Sequence, residues 1–144
     1  MKEEVYDRFL GQTDEERAKI RKKAVRSIPA SFGDALTYFM KHEFNGKADD
    51  MKLGISSGLG KRMITAYRTN PQMVYKPDEL VRICVGLHLQ PWQSDELFKR
   101  ANIDVERIGP RAYLGFIIDC LYLESITTIQ AFLETNGLRD YDFL

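Results

Sequence analysis

The sequence has only two cysteines, Cys84 and Cys120, and no apolar run long enough to cross a membrane. Two cysteines far apart do not make a disulfide framework and favour a reducing compartment. The longest apolar stretch, residues 112–123, is too short to span a bilayer and contains Asp119. The first residues are charged from Lys2 onward and lack the apolar segment of a signal peptide. We therefore expect a cytoplasmic protein with no membrane partner.

The motifs that common enzymes and metal sites require are also absent. There is no glycine-rich phosphate loop followed by Lys and Ser or Thr, and no nucleophile elbow. Cys84 and His88 are four residues apart, but no second pair completes a metal site. A buried thiol beside a half-buried imidazole is the interpretation that we favour for this pair. The sequence thus predicts a protein that is not an enzyme and holds neither metal nor cofactor.

Neither sign of charge is in excess, because 21 Lys and Arg balance 21 Asp and Glu. The distribution is uneven: residues 1–76 carry 15 basic and 10 acidic side chains, a net charge of +5, and residues 77–144 carry 6 and 11, a net charge of −5. This asymmetry permits a basic face at one end of the molecule, which suits a polyanionic partner. Ordinary surface charge explains the same counts equally well.

Helical periodicity runs along the chain, and strand-like alternation is absent. A capping box at Thr13–Glu16 opens a first helix that Pro29 must end. The other residues predicted to begin or end helices are the N-caps Ser31 and Ser125 and the C-terminal stop Gly137. Six Lys or Arg between Arg17 and Arg26 predict a solvated arm rather than a core helix. The later helices have apolar positions expected to face the core: Phe32, Leu36, Phe39, Met40, Leu80, Ile83, Cys84, Leu87, Trp92, Leu97, Phe98, Ala101, Tyr113, Phe116, Ile117, Cys120, Ile126, Ile129, Phe132 and Leu133.

Three glycines interrupt otherwise helical sequence in the stretch LGISSGLGKRMITAYRTN. Gly costs about 1 kcal/mol relative to Ala inside a helix, so each glycine needs a steric reason. Two short helices, 49–55 and 61–68, joined by a tight turn supply that reason. Gly58 provides the positive φ that ends the first helix, Gly54 lies where the two helices approach, and Gly60 is the N-cap of the second. The apolar residues that bury this unit are Leu53, Leu59, Ile64 and Tyr67.

Residues 49–70 resemble the helix-turn-helix of the Cro/phage-repressor (lambda-repressor-like) DNA-binding family. Four residues fall at the spacing of that family: Gly54, Gly58, Leu59 and Ile64. Residues 31–42 resemble the first helix of the family and KPDELVRICVGLHLQP its fourth, so the resemblance covers residues 31–103. It implies an all-α, lambda-repressor-like helix-turn-helix bundle. The chain adds a charged helical arm at 1–30 and two helices in an extension at 104–144, which we expect to pack on the same domain.

In that family the second helix of the motif lies in the major groove. The resemblance implies a sequence-specific transcriptional regulator that inserts helix 61–68 into the major groove of double-stranded DNA. By position, the residues implied to contact bases are Lys61, Arg62, Thr65 and Ala66. Lys52 and Arg68 are the candidates for phosphate contacts. Arg and Lys suit base contacts because they donate to guanine O6 and N7, although Lys61 and Arg62 also fit the exposed start of any surface helix.

The chain departs from the family at one position. The family often places a neutral polar residue at the start of the first motif helix, where it binds a phosphate. Asp50 stands there in this sequence, beside the helix-capping Asp49, and is predicted to face a phosphate with like charge. This departure suggests weaker affinity, a shifted docking pose, or a second function class. That second hypothesis is a protein-interaction module, antitoxin-like or adaptor, that keeps the fold without reading DNA.

A single motif reads only a few base pairs, so the resemblance also predicts a homodimer. Residues 108–133 are the expected contact, because their apolar surface is wider than one small helix needs. The residues of this surface are Tyr113, Phe116, Ile117, Leu121, Tyr122, Ile126, Ile129 and Phe132. The alternative is that these side chains close over Trp92, Leu97 and Phe98 within one chain.

Overall fold

The computed structural model describes residues 14–43 and 48–138. These residues form eight helices joined by turns and loops, and they contain no strand. The helices are α1 (Asp14–Arg26), α2 (Phe32–His42), α3 (Asp50–Ser57), α4 (Lys61–Thr69), α5 (Pro77–Gly86), α6 (Pro91–Arg100), α7 (Ala112–Cys120) and α8 (Ile126–Thr135). The all-α class predicted from the sequence is confirmed. Within the described ranges, no helix is long and apolar enough to cross a membrane. Thr13, the predicted N-cap of α1, lies outside the described residues.

Local capping chemistry sets several helix ends. The side chains of Ser31, Asp49 and Ser125 each accept a hydrogen bond from the backbone N–H three residues further on, at 3.3, 2.7 and 3.1 Å. Such bonds satisfy N–H groups that have no partner within the helix. At the other end of α8, Gly137 has a φ of 75° and stops the helix. All four assignments follow the sequence prediction.

The core lies among α2, α4, α5, α6, α7 and α8, with α3 covering one end. The predicted apolar positions of α2 and α5 are all buried: Phe32, Leu36, Phe39, Met40, Leu80, Ile83, Cys84 and Leu87. Helix α7 packs against α5 and α6, and α8 packs against α5. Helix α1 has no buried residue, as expected for a solvated arm.

The core face of α7 is rotated about the helix axis relative to the predicted one: Ile117 is buried as predicted, but Phe116 and Cys120 are not. Phe116 is 45% exposed and Cys120 is also exposed, whereas the buried residues are Leu114, Gly115, Ile117 and Ile118. A Cβ on Gly115 would stand 2.8 Å from the carbonyl oxygen of Glu106. The preceding loop therefore lies directly against Gly115, and this contact sets the rotation of the helix.

That rotation also reduces the predicted dimer surface. Ile117, Ile126 and Ile129 lie in the core of their own chain and are unavailable to a partner. Phe116 stacks on Phe132, with ring centroids 5.5 Å apart. The apolar surface that the extension leaves to solvent is consequently smaller than the sequence pattern indicates.

The prediction of a buried thiol at Cys84 is confirmed, but that of a half-buried imidazole at His88 is wrong. Helix α5 ends at Gly86, and His88 is exposed with a φ of 53°. The Nδ1 atom of His88 lies 3.0 Å from the carbonyl oxygen of Tyr122. Cys84 is buried, and burial raises the pKa of its thiol to about 12. Within residues 14–43 and 48–138, no three His, Cys, Asp or Glu side chains are grouped to hold a metal ion.

Candidate nucleic-acid interface

The turn between α3 and α4 has the geometry that only glycine adopts without strain. Gly58 has φ 74° and ψ 5°, and its N–H donates to the carbonyl of Ile55 at 3.1 Å. Gly60 has φ 90° and ψ 156° and is the N-cap of α4. A side chain at positive φ is strained, so these two residues fix the path of the chain between the helices. We call residues 49–70 the α3–α4 unit.

Gly54 lies where α4 begins. A Cβ on Gly54 would stand 2.6 Å from both the carbonyl carbon of Gly60 and the backbone nitrogen of Lys61. The carbonyl oxygen of Gly54 accepts a hydrogen bond from the N–H of Gly60 at 3.0 Å. The missing side chain therefore permits a backbone contact that joins the two helices, as the sequence predicted.

The apolar side of the α3–α4 unit is fully enclosed. Leu53, Ile64 and Tyr67 are each at most 1% exposed, and Leu59 is partly buried against the core. The hydroxyl of Tyr67 accepts a hydrogen bond from the backbone N–H of Lys76 at 3.3 Å. Burial raises the pKa of Tyr67 above its ordinary value. Four of the predicted structural positions of the motif are thereby confirmed as buried or partly buried packing residues.

Helix α2 holds the far end of α4. A Cβ on Gly33 would overlap the carbonyl oxygen of Arg68, so the first turn of α2 lies directly on the last turn of α4. Sequence reasoning missed this contact, because the two residues are far apart in the chain.

Arg82 is a structural residue that sequence reasoning also missed. Its Nε donates to the carbonyl of Ser57 at 3.0 Å, and its NH2 group donates to the carbonyl of Gly58 at 2.6 Å. The last carbonyls of a helix lack partners within the helix and attract cations. Arg82 thus connects α5 to the turn that precedes α4. The only signal in the sequence is that Arg82 is the one basic residue of α5, within its apolar second half.

Asp50 has a different environment from the predicted one. Its carboxylate accepts two hydrogen bonds from Arg68, at 3.0 and 2.8 Å, and one from the hydroxyl of Thr65 at 2.8 Å. The side chain of Asp50 is only 14% exposed. The carboxylate therefore joins the start of α3 to the outer side of α4, instead of standing alone opposite a phosphate.

These bonds change the titration of both partners. Hydrogen bonds from Arg68 hold the pKa of Asp50 below its ordinary value of 3.8, although burial opposes them, and Thr65 adds to the effect. The same hydrogen bonds raise the pKa of Arg68. The ionised pair therefore stabilises the folded chain wherever Asp50 is charged.

Replacing Asp50 by Asn is expected to lower the free energy of unfolding by about 1–2 kcal/mol at neutral pH, because Arg68 loses its anion. Since folding lowers the pKa of Asp50, its contribution is complete above the unfolded-state pKa and disappears as the pH falls through the folded-state pKa. The difference between the parent and the variant should therefore begin to shrink near pH 4 and disappear only below the lowered pKa of Asp50. Urea unfolding across this pH range measures the difference.

Asp49→Asn is the matched control, because Asn caps a helix as well as Asp does. It removes the same charge from the neighbouring residue without touching Arg68. If the two variants lose equal stability, the Asp50–Arg68 pair is not the cause.

The structure separates the six predicted contact residues into two groups. Lys52, Lys61 and Arg62 are exposed. Arg62 makes no hydrogen bond or ion pair with any residue that the structure describes, and Lys61 lies within electrostatic range of Asp50. Thr65, Ala66 and Arg68 are half-buried, and the polar groups of Thr65 and Arg68 are bound to Asp50.

Comparison of the chain with protein-family models, with curated proteins and with solved structures gives no match. The function must therefore be inferred from the geometry of the α3–α4 unit alone.

Proposed function

We propose that the chain is a sequence-specific DNA-binding transcriptional regulator in which α4 enters the major groove. The observation that carries this proposal is the pair of exposed cations, Lys61 and Arg62, in the first turn of α4. The helix dipole disfavours cations at an N-terminus, so their presence there has a stability cost that an anionic ligand would offset. The long polar side chain of Arg62 is available to a base edge.

The rigidity of the unit supports this role. Gly58, Gly54 and Arg82 fix the start of α4 relative to α3 and α5, and Gly33 lies against its end. Readout of a base pair requires side chains that start from a fixed backbone. Arg62 is then suited to donate two hydrogen bonds to guanine O6 and N7, and Ala66 to touch a thymine methyl group.

Thr65 and Arg68 are less available to DNA than Arg62, because both already donate hydrogen bonds to Asp50. The Thr65 hydroxyl already donates to Asp50, so we give Thr65 a lesser part in base readout than Arg62. Arg68 would reach a phosphate only by exchanging Asp50 for it. Lys52, exposed near the start of α3, is the better candidate for a phosphate contact.

Arg62→Ala tests the proposal. Once a preferred site has been selected from a random DNA pool, the variant should lose about 1–3 kcal/mol of affinity for that site. It should also discriminate less at one base pair. Fluorescence anisotropy with the selected duplex and a scrambled duplex measures both effects.

Lys76→Ala is the control, since it removes one charge from an exposed side chain outside the α3–α4 unit. An equal loss on the selected and scrambled duplexes would rule out a base contact for Arg62. If selection yields no preferred site, the regulator proposal itself fails.

One observation favours the protein-interaction module as the second candidate. Met51 and Ile55 lie four residues apart on α3 and are 57% and 77% exposed. Apolar side chains grouped in this way are typical of protein contacts. Duplex binding that is absent at low salt would favour this second function, because phosphate contacts make DNA affinity strongly salt-dependent.

The homodimer stays part of the proposal. A dimer would place two α4 helices on half-sites about 34 Å apart. The apolar residues of 108–133 that support it are Ile108, Phe116 and Leu123, which are 90%, 45% and 69% exposed, and the half-buried Phe132.

A further inference from the structure

Helix α1 has two faces, and one of them is turned toward the rest of the molecule across a groove. Arg17, Arg21 and Ala24 line a groove whose other wall contains Gln90 and Trp92. The guanidinium carbon of Arg21 lies 5.9 Å from the centroid of the Trp92 ring, a cation–π distance. Arg21 thus connects this face of α1 to Trp92.

The opposite face of α1 carries four cations. Lys19, Lys22, Lys23 and Arg26 follow the spacing i, i+3, i+4, i+7, which places them on one side of a helix. All four are exposed. None forms an ion pair with an acidic residue in the described parts of the chain. The acidic residues of α1 are confined to its first turn.

This arrangement works against the helix that carries it. Each of the four side chains has like-charged neighbours three or four residues away, and such pairs destabilise a helix. Only Lys23 and Arg26, in the last turn, gain from the helix dipole. A partner of opposite charge would relieve the repulsion. We call Lys19, Lys22, Lys23 and Arg26 the cationic face.

The loop that follows α1 is anchored to α6. Arg100 donates to the carbonyls of Pro29 and Ile28, at 2.6 and 3.3 Å, in the loop that follows α1. That loop leads directly into α2, where Gly33 lies on the carbonyl oxygen of Arg68. The cationic face is therefore attached, through a short and anchored connection, to the last turn of the proposed recognition helix.

We propose that the cationic face binds the phosphate backbone of the DNA that flanks the base pairs read by α4. This inference rests on the proposed function. The face is about 10 Å long, at 1.5 Å per residue, and one strand of B-DNA presents about three phosphates over that length. A membrane surface fits the face less well, because Ile20 is the one large apolar side chain of α1 that is exposed, and a helix needs an apolar face to enter lipid.

The test compares two double variants with the same change of charge. Lys22→Gln/Lys23→Gln alters the cationic face, and Lys76→Gln/Lys99→Gln alters side chains that are 71% and 72% exposed on other parts of the chain. Affinity for the selected duplex and for a scrambled duplex is measured by anisotropy over a range of salt concentrations. Binding to vesicles of anionic lipid is measured in parallel.

The Lys22→Gln/Lys23→Gln variant should bind both duplexes about 5- to 30-fold more weakly near physiological salt, while the control variant changes much less. The slope of log affinity against log salt should fall by about 0.9 for each phosphate that the variant no longer neutralises. The preference for the selected duplex should be unchanged, since phosphate contacts carry no sequence information. The melting temperature should not fall, because the substitutions remove like-charge repulsion.

The outcomes separate this inference from the proposed function. If the parent prefers its selected site but binds it no more tightly than the Lys22→Gln/Lys23→Gln variant does, the inference is wrong and the proposed function stands. If the parent has no site preference but binds DNA with a salt-dependent affinity that requires Lys22 and Lys23, the inference is supported and the proposed function is wrong. A parent that binds no duplex overturns both. If the variant binds vesicles more weakly but DNA as well as the parent does, the cationic face serves a membrane and the inference is wrong.

Discussion

Gly54→Ala is expected to lower the free energy of unfolding by about 3 kcal/mol, through overpacking against backbone that cannot move aside. The new Cβ would stand 2.6 Å from backbone atoms of Gly60 and Lys61, where no flexible side chain can yield. Helix propensity alone predicts the opposite result, because Ala is about 1 kcal/mol more favourable than Gly inside a helix. The sign of the measured change therefore distinguishes the two effects.

Urea unfolding measures the stability of Gly54→Ala, and Met51→Ala, in the same helix, is the control. Met51 is 57% exposed, and its truncation should change stability by less than about 0.5 kcal/mol. A Gly54→Ala variant that is more stable than the parent would contradict the close approach of α3 and α4. Because α4 must move away from α3, the proposed function also predicts that the variant binds a selected duplex more weakly than the parent.

Arg100→Ala is expected to have an effect of similar size, about 3 kcal/mol of unfolding free energy, because it leaves a buried carboxylate without its buried partner and with only the exposed Lys99 beside it. The NH1 group of Arg100 lies 2.8 Å from the carboxylate of Glu96, and the two side chains are 13% and 11% exposed. The same guanidinium also binds the carbonyls of Ile28 and Pro29. The substitution therefore removes an ion pair and the anchor of the loop after α1.

Lys99→Ala is the matched control for Arg100→Ala. Lys99 is the preceding residue and contacts the same Glu96 at 3.2 Å, but its side chain is 72% exposed. Exposed ion pairs contribute about 0–1 kcal/mol, so this variant should unfold nearly as the parent does. Equal losses in the two variants would show that burial of the Glu96 pair is not what stabilises this region.

The Glu96 pair also predicts a pH dependence. Burial raises the pKa of Glu96, but hydrogen bonds from Arg100 and Lys99 outweigh it and hold the pKa below its ordinary value of 4.5. A carboxyl whose pKa is lowered by folding contributes stability above its unfolded-state pKa and loses it as the pH falls through the folded-state pKa. The loss of unfolding free energy caused by Arg100→Ala should accordingly become smaller as the pH falls through the pKa of Glu96.

The sequence predicted the parts of the fold that depend on local chemistry. Ser31, Asp49 and Ser125 cap helices through bonds to residues three positions away. The positive φ of Gly58 follows from the need to end one helix and begin another within three residues. Such features depend on a few neighbouring residues, and a single sequence contains all the information needed to predict them.

Other features arise between distant parts of the chain and could not be predicted in the same way. The rotation of α7 depends on the contact between Gly115 and the loop at Glu106, which a continuous apolar run does not reveal. The partners of Asp50 are 15 and 18 residues away, and the carbonyls that Arg82 binds are 24 and 25 residues away. From its charge alone, Asp50 is predicted to face a phosphate. Its actual partners, Thr65 and Arg68, cannot be read from the sequence.

The two thiols of the chain differ so strongly in accessibility that they form a natural pair of kinetic probes. Cys120 is exposed at the end of α7, whereas Cys84 is 1% exposed and has a raised pKa within α5. An alkylating reagent reacts with a thiolate, so it modifies Cys120 in the native state and Cys84 only when α5 opens. The labelling rate of Cys84 would therefore report the opening of the helix to which Arg82 belongs, without any engineered label.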